Sequence, residues 1–94
     1  MVSQHEGGNL VEGSSEGIRN IVEIDQSGSA NMSQTYQSAG GENLASITQT
    51  DMTNLAVVSQ AGWNNQATVN QSNFGMISTI DQTGTGNRAT VTQQ

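Results

Sequence analysis

Few residues in this 94-residue chain can do covalent chemistry. It has one histidine, His5, two cations, Arg19 and Arg88, no lysine and no cysteine. A serine nucleophile needs a histidine held on a rigid element. His5 lies near the N-terminus and reads as a solvated end residue. Without cysteine there are no disulfides or thiolate metal sites, and one histidine is too few for an imidazole-based zinc site. Asp25, Asp51 and Asp81 stand apart, and the Gly-Gly-x-Gly-x-Asp motif that binds calcium in parallel β-rolls is missing. No catalytic residue, metal or cofactor is expected, and the chain reads as a non-enzyme. A net charge of −6 lacks the cationic surface that displaces counterions from nucleic acid. It also lacks a basic amphipathic helix and any stretch of membrane-spanning length, so membrane insertion is not expected.

The chemistry that remains belongs to amides, and their spacing is regular. Glutamine recurs at Gln4, Gln26, Gln37, Gln49, Gln60, Gln71, Gln82 and Gln93, with Ser15 filling the first gap. The spacing is eleven residues except between Gln37 and Gln49, where it is twelve. Taking Ser38 as the start of that unit, with Gln37 as an inserted residue, restores eleven. The units are then 4–14, 15–25, 26–37, 38–48, 49–59, 60–70, 71–81 and 82–93, after a tail at 1–3. Five residues after each start comes Asn9, Asn20, Asn31, Asn43, Asn54, Asn65 or Asn87, with Met76 as the exception.

Elements that could position these amides follow from the alternation. Two residues past the asparagine lie Val11, Val22, Ser33, Ala45, Ala56, Ala67, Ser78 and Ala89. Two further on lie Gly13, Ile24, Thr35, Ile47, Val58, Val69, Ile80 and Val91, and the next glutamine follows. A period of two places Asn, Ala, Val/Ile and Gln on one strand face. The expected core is Val22, Ile24, Ala45, Ile47, Ala56, Val58, Ala67, Val69, Ile80, Ala89 and Val91. Between each glutamine and the next asparagine stand four residues rich in turn formers. Alternate units carry an arch glycine at their third position, Gly17, Gly40, Gly62 and Gly84, where the others have Glu6, Gly28, Asp51 and Asn73. Two unit types therefore alternate in a 22-residue repeat. The predicted fold is all-β: a two-sheet parallel β-solenoid with two strands per turn and about four turns. Inward amides are costly unless hydrogen-bonded. A parallel stack lets each bond its equivalent above and below, as a ladder.

Composition points the same way. Hydrophobic residues make up 32% and aromatic residues 3%, too few for an ordinary small core. Low charge and the absence of proline set the chain apart from disordered linkers and nearer to Gln/Asn-rich β-formers. Oligomerisation is the remaining route to stability. The unit at 82–93 is regular and no capping element follows it in this sequence, so it is expected to template the next molecule's first rung. A head-to-tail contact of this kind does not close and gives a filament. The first rung is irregular and acidic, with Glu6, Glu12, Glu16, Glu23 and Asp25, and is expected to dock onto a formed end. Leu10, Met32, Leu55 and Ile77 fall at rung spacing as an outward apolar stripe suited to lateral packing. Arg19 and Glu42 hold equivalent turn positions on neighbouring rungs and are expected to pair. Trp63 and Phe74 fall on opposite arches as partly exposed turn aromatics.

The pattern Gln-x-Gly-x-x-Asn-x-Ala-x-Val-x-Gln resembles the curlin repeat of curli subunits. Gln60 to Gln71 (QAGWNNQATVNQ) and Gln82 to Gln93 (QTGTGNRATVTQ) match it at every marked position. The likeness covers 15–93 well and 4–14 loosely. It implies a secreted subunit of a bacterial functional amyloid fibre that scaffolds biofilm matrix and surface adhesion. It also implies homopolymerisation, a nucleator curlin and curli export machinery as partners, and an extracellular location at the cell surface. The chain departs from the family's better-known major subunit, with about four rungs where that subunit has five and without its long Gly-rich leader. Met1 to Gly13 show no signal-peptide pattern, so a mature form is expected. The regular last unit favours a major subunit; a nucleator subunit is the alternative within the family. Outside it, the alternative is a soluble β-solenoid binding or adhesin module. The mixed columns Glu23, Ser46, Thr68, Thr90 and Asp25, Thr48, Asn70, Thr92 lack the regular threonine array of ice-binding solenoids.

Overall fold

A computed structural model describes residues 2–4 and 7–94, with side chains from Gly7 onward except that of Ala39. The expectations for His5, Glu6 and the Gln4 amide lie outside the described residues and side chains. All described secondary structure is β: β1 Val2–Gln4, β2 Leu10–Ser15, β3 Ile21–Gln26, β4 Met32–Gly41, β5 Leu44–Thr50, β6 Leu55–Trp63, β7 Gln66–Ser72, β8 Ile77–Thr85 and β9 Arg88–Gln93. Odd-numbered strands form one sheet in the order β1-β3-β5-β7-β9, and even-numbered strands the other in the order β2-β4-β6-β8. Every pairing is parallel. The chain is a two-sheet β-solenoid of about four turns, measuring 34 × 20 × 12 Å.

Register follows the sequence columns. Ala45 pairs with Ala67, and Ala67 with Ala89; Ile47 pairs with Val69, and Val69 with Val91. Small side chains in one column let the sheets approach; branched ones in the next fill the gap. Ile24, Ala45, Ile47, Ala56, Val58, Ala67, Val69 and Ile80 form the buried cluster, and Val11, Val22, Ala89 and Val91 pack on it half-buried. The core thins toward both ends because the end strands have a neighbour on one side only. In β2, Gly13 brings no side chain to its core position, and five of the strand's six residues are exposed.

Two expectations are corrected. The inserted residue is Ala39. Gln37 stands in register, opposite Ser15 on β2 and Gln60 on β6. The register of β4 slips between Ser38 and Gly40. Gln37 is 1% exposed, so displacing it would remove a buried amide from its column. A bulge at the arch entrance costs no inward position, so the extra residue settles there and the unit begins at Gln37. The tail is also more ordered than expected. Val2–Gln4 forms a strand that pairs Val2 with Ile24, Ser3 with Asp25 and Gln4 with Gln26.

Among the described residues the inward columns carry two flaws. Thr35 Oγ1 and Ser78 Oγ are buried without a hydrogen-bond partner. Both lie in the even-numbered sheet, where apolar residues fill the equivalent positions of β6. Thr35→Val keeps the side-chain shape and removes an unsatisfied hydroxyl. It is expected to raise the unfolding free energy by about 1–2 kcal/mol, read from the shift of a urea transition.

Candidate functional site

Among the described residues no group of histidine, cysteine, aspartate and glutamate could hold a metal. The organised chemistry is the hydrogen bonding of the amide columns. Each column glutamine from Gln26 to Gln93 is the sixth residue of its strand, with its side chain inward, between the sheets. In the odd-numbered sheet Gln26 Nε2 donates to Gln49 Oε1 at 2.7 Å, Gln49 to Gln71 at 2.9 Å, and Gln71 to Gln93 at 2.8 Å. In the other sheet Gln37 donates to Gln60 and Gln60 to Gln82, both at 2.9 Å. The second amide hydrogen crosses between sheets. Gln49 Nε2 donates to Met32 O, Gln60 to Leu44 O and Gln71 to Leu55 O, at 3.0–3.1 Å. The glutamines are thus ladders within a sheet and ties between sheets. The expected ladder is present, and the ties are an addition. They arise because the sixth residue of each strand lies opposite the first carbonyl of the preceding one.

The asparagine columns differ from expectation. Their amides do not bond one another as a side-chain ladder. Asn31 Oδ1 accepts from the backbone N–H of Asn54, Asn43 Oδ1 from Asn65, and Asn65 Oδ1 from Asn87. Asn9 and Asn20 serve Asn31 and Asn43 in the same way. The Nδ2 groups turn back into the arches: Asn65 donates to Ala61 O and Gly84 O, Asn54 to Thr50 O, and Asn87 to Thr83 O. Asparagine is one methylene shorter than glutamine and sits where the chain leaves the arch. Main-chain groups of its own turn and the next rung are therefore nearest. Each asparagine fixes an arch and sets its height on its neighbour. Because Asn54 Oδ1 accepts from the backbone of Met76 at 3.1 Å, the Met76 exception costs the column below it nothing.

The arches also pair with one another, which periodicity alone did not reveal. Glu42 N donates to Ile18 O, Asn64 N to Gly41 O and Gly86 N to Trp63 O, while Ile18 N donates to Gly40 O. The residue before each asparagine takes positive φ, including Arg19, Ala30, Glu42, Thr53 and Asn64. Left-handed backbone is costly for a β-branched residue. The signal lay in the fixed fourth turn position, but its mixed residue types concealed it.

The arch glycines are positioned as expected. Gly17, Gly40, Gly62 and Gly84 all have φ between 101° and 119°. Arg19 Nη2 and Glu42 Oε1 lie 3.5 Å apart at the surface; such a pair contributes at most about 1 kcal/mol. Trp63 and Phe74 are exposed on opposite arches. Leu10, Met32, Leu55 and Ile77 are aligned by register on the outer face of the even-numbered sheet. Leu10, Met32 and Ile77 are exposed and Leu55 is half-buried. A shallow groove of about 390 Å³ runs between this stripe and the arch residues Ala30, Thr53 and Gly75.

At the upper end, β8 and β9 have no strand beyond them among the described residues. Gln82 and Gln93 each donate once, across the sheets to Gln66 O and Ile77 O, whereas the inner glutamines donate twice. These edges leave main-chain groups and the second hydrogen of each end amide available for hydrogen bonding. No family model matches the chain, and neither a curated protein nor a solved structure does so.

Proposed function

We propose that this chain is the structural subunit of an extracellular functional amyloid fibre of the curli type, assembling head to tail. One observation carries the reading: the columns that hold the rungs together reach the upper end with half of each glutamine's donor capacity unused. The strand edge, core column and amide column there repeat those inside the stack, so equivalent strands of another copy can continue them. Filament growth is then solenoid formation continued between molecules. The curlin-like residue pattern adds the biological setting: secretion, a nucleator curlin and export machinery as partners, and a role in biofilm matrix and adhesion. It favours a major subunit over a nucleator because the unit at 82–93 is regular.

Purified protein should convert to fibres with thioflavin fluorescence, seeded growth and a fibre reflection at about 4.7–4.8 Å. A persistent monomer that ignores seeds would defeat the proposal and leave a soluble binding module. The apolar stripe offers a second test. Leu55→Gln with Ile77→Gln is expected to leave elongation intact and reduce lateral bundling in electron micrographs. Bundles of unchanged width would make the stripe incidental.

A further inference from the structure

The two ends of the stack do not match as they stand, and β1 is the reason. Successive strands alternate between sheets, so each lies half a rung beyond the one before. The upper end finishes on β9, in the odd-numbered sheet, half a rung beyond β8. The lower end begins on β1, in the same sheet, half a rung beyond β2. Both ends therefore project on the same sheet. If two copies stack in the same orientation with β1 seated on β9, the even-numbered sheet is short of one strand between β8 and the next copy's β2. If β8 is instead seated on that β2, β9 and β1 claim the same place.

We propose that β1 is a displaceable guard strand. It holds the lower edge of β3 in the free subunit and yields that edge to β9 of the preceding subunit during growth. This rests on the fibre reading above. With β1 removed, the lower end projects on β2, and the ends become complementary in both sheets. The pairing is then settled by repeat position. β9 lies along β3 with Ala89 on Val22, Val91 on Ile24 and Gln93 on Gln26. β8 lies along β2 with Ile77 on Leu10 and Gly84 opposite Gly17. The half-used Gln93 amide meets Gln26, and Arg88 falls on Ile21 with the Glu23 carboxylate on its diagonal.

The competition favours the incoming strand. β1 covers Ile24, Asp25 and Gln26, half of the six-residue β3 edge. β9 has six residues and the full column pattern to offer. A strand held by three residue pairs to a single neighbour opens at little free-energy cost. Growth is thus slowed by the fraction of subunits with β1 seated, and the edge stays shielded while the protein is monomeric. A half-turn between neighbours would let β1 remain, seated on β8. It would place Leu10 over Arg88 and break the apolar and glycine columns.

The test locks β1 in place. Ser3 and Asp25 are direct partners, and the chain has no cysteine. Ser3→Cys with Asp25→Cys therefore gives one defined disulfide, with circular dichroism and Trp63 emission reporting an intact monomer. Oxidised, this variant is expected to extend wild-type seeds at least about tenfold more slowly than after reduction, since its competent fraction falls toward zero. Ser3→Pro, which weakens β1 without a crosslink, is expected to shorten the lag and speed elongation. Equal growth of the oxidised and reduced forms would overturn the guard strand while leaving the fibre reading intact. Unchanged growth of Ser3→Pro would overturn it equally. Failure of the wild type to grow would remove both.

Discussion

Gln60→Leu is expected to cost the monomer about 3–6 kcal/mol, from the loss of three hydrogen bonds and the buried partners left behind. Gln60 accepts from Gln37 Nε2 and donates to Gln82 Oε1 and to Leu44 O. Gln37 and Gln82 are 1% and 6% exposed, so water cannot replace the lost partner. A 94-residue domain has about 5–14 kcal/mol of stability in all. The variant should therefore lose a large share of its margin, read as a shift of the urea transition followed by Trp63 emission. Leucine is of similar size and more apolar, so a core held by hydrophobicity alone would be strengthened. The sign of the effect distinguishes the two accounts. Extending the change to Gln37, Gln60 and Gln82 together is expected to cost less than three times the single change. The orphaned amides are then removed along with their partners.

The second large effect is expected at an arch. Gly62 has φ of 114°, and a Cβ there would run into the carbonyl oxygen of Gly84 on the rung above. Neither backbone can move without breaking the strand register that holds it. Gly62→Ala is expected to cost about 3 kcal/mol or more, from strained backbone together with the clash. Gly75 is the control, with φ of 67° and no atom within 4 Å of its Cβ position. Ala30 and Thr53 already occupy the equivalent turn position, so Gly75→Ala is expected to cost only about 1 kcal/mol. Equal losses at the two sites, measured by thermal or urea unfolding, would show that φ alone matters and that the rung-to-rung approach does not.

These variants also mark how far the sequence could be read. Gln60 was legible as an inward amide because it recurs in phase with Val58 and Ala56. Its tie to Leu44 O was not legible, because that contact spans the two sheets and depends on their separation. The glycine column at Gly17, Gly40, Gly62 and Gly84 was legible from spacing. The left-handed column through Arg19, Glu42 and Asn64 was hidden, since its residue types share no chemistry. The asparagines face inward as alternation predicts, but they bond the backbone instead of one another. Alternation fixes which way a side chain points and says nothing of which acceptor lies nearest.

The sequence by itself determined the 22-residue repeat, the inward columns, the two arch types and the parallel stacking. A period of two beside a period of eleven admits one economical arrangement in which every buried amide is bonded. Tertiary structure decided the rest. It moved the extra residue from Gln37 to Ala39, because a buried column tolerates no gap and an arch does. It turned the asparagines onto the backbone. It made a strand of Val2–Gln4, because the free edge of β3 has hydrogen bonds to give to any extended segment within reach.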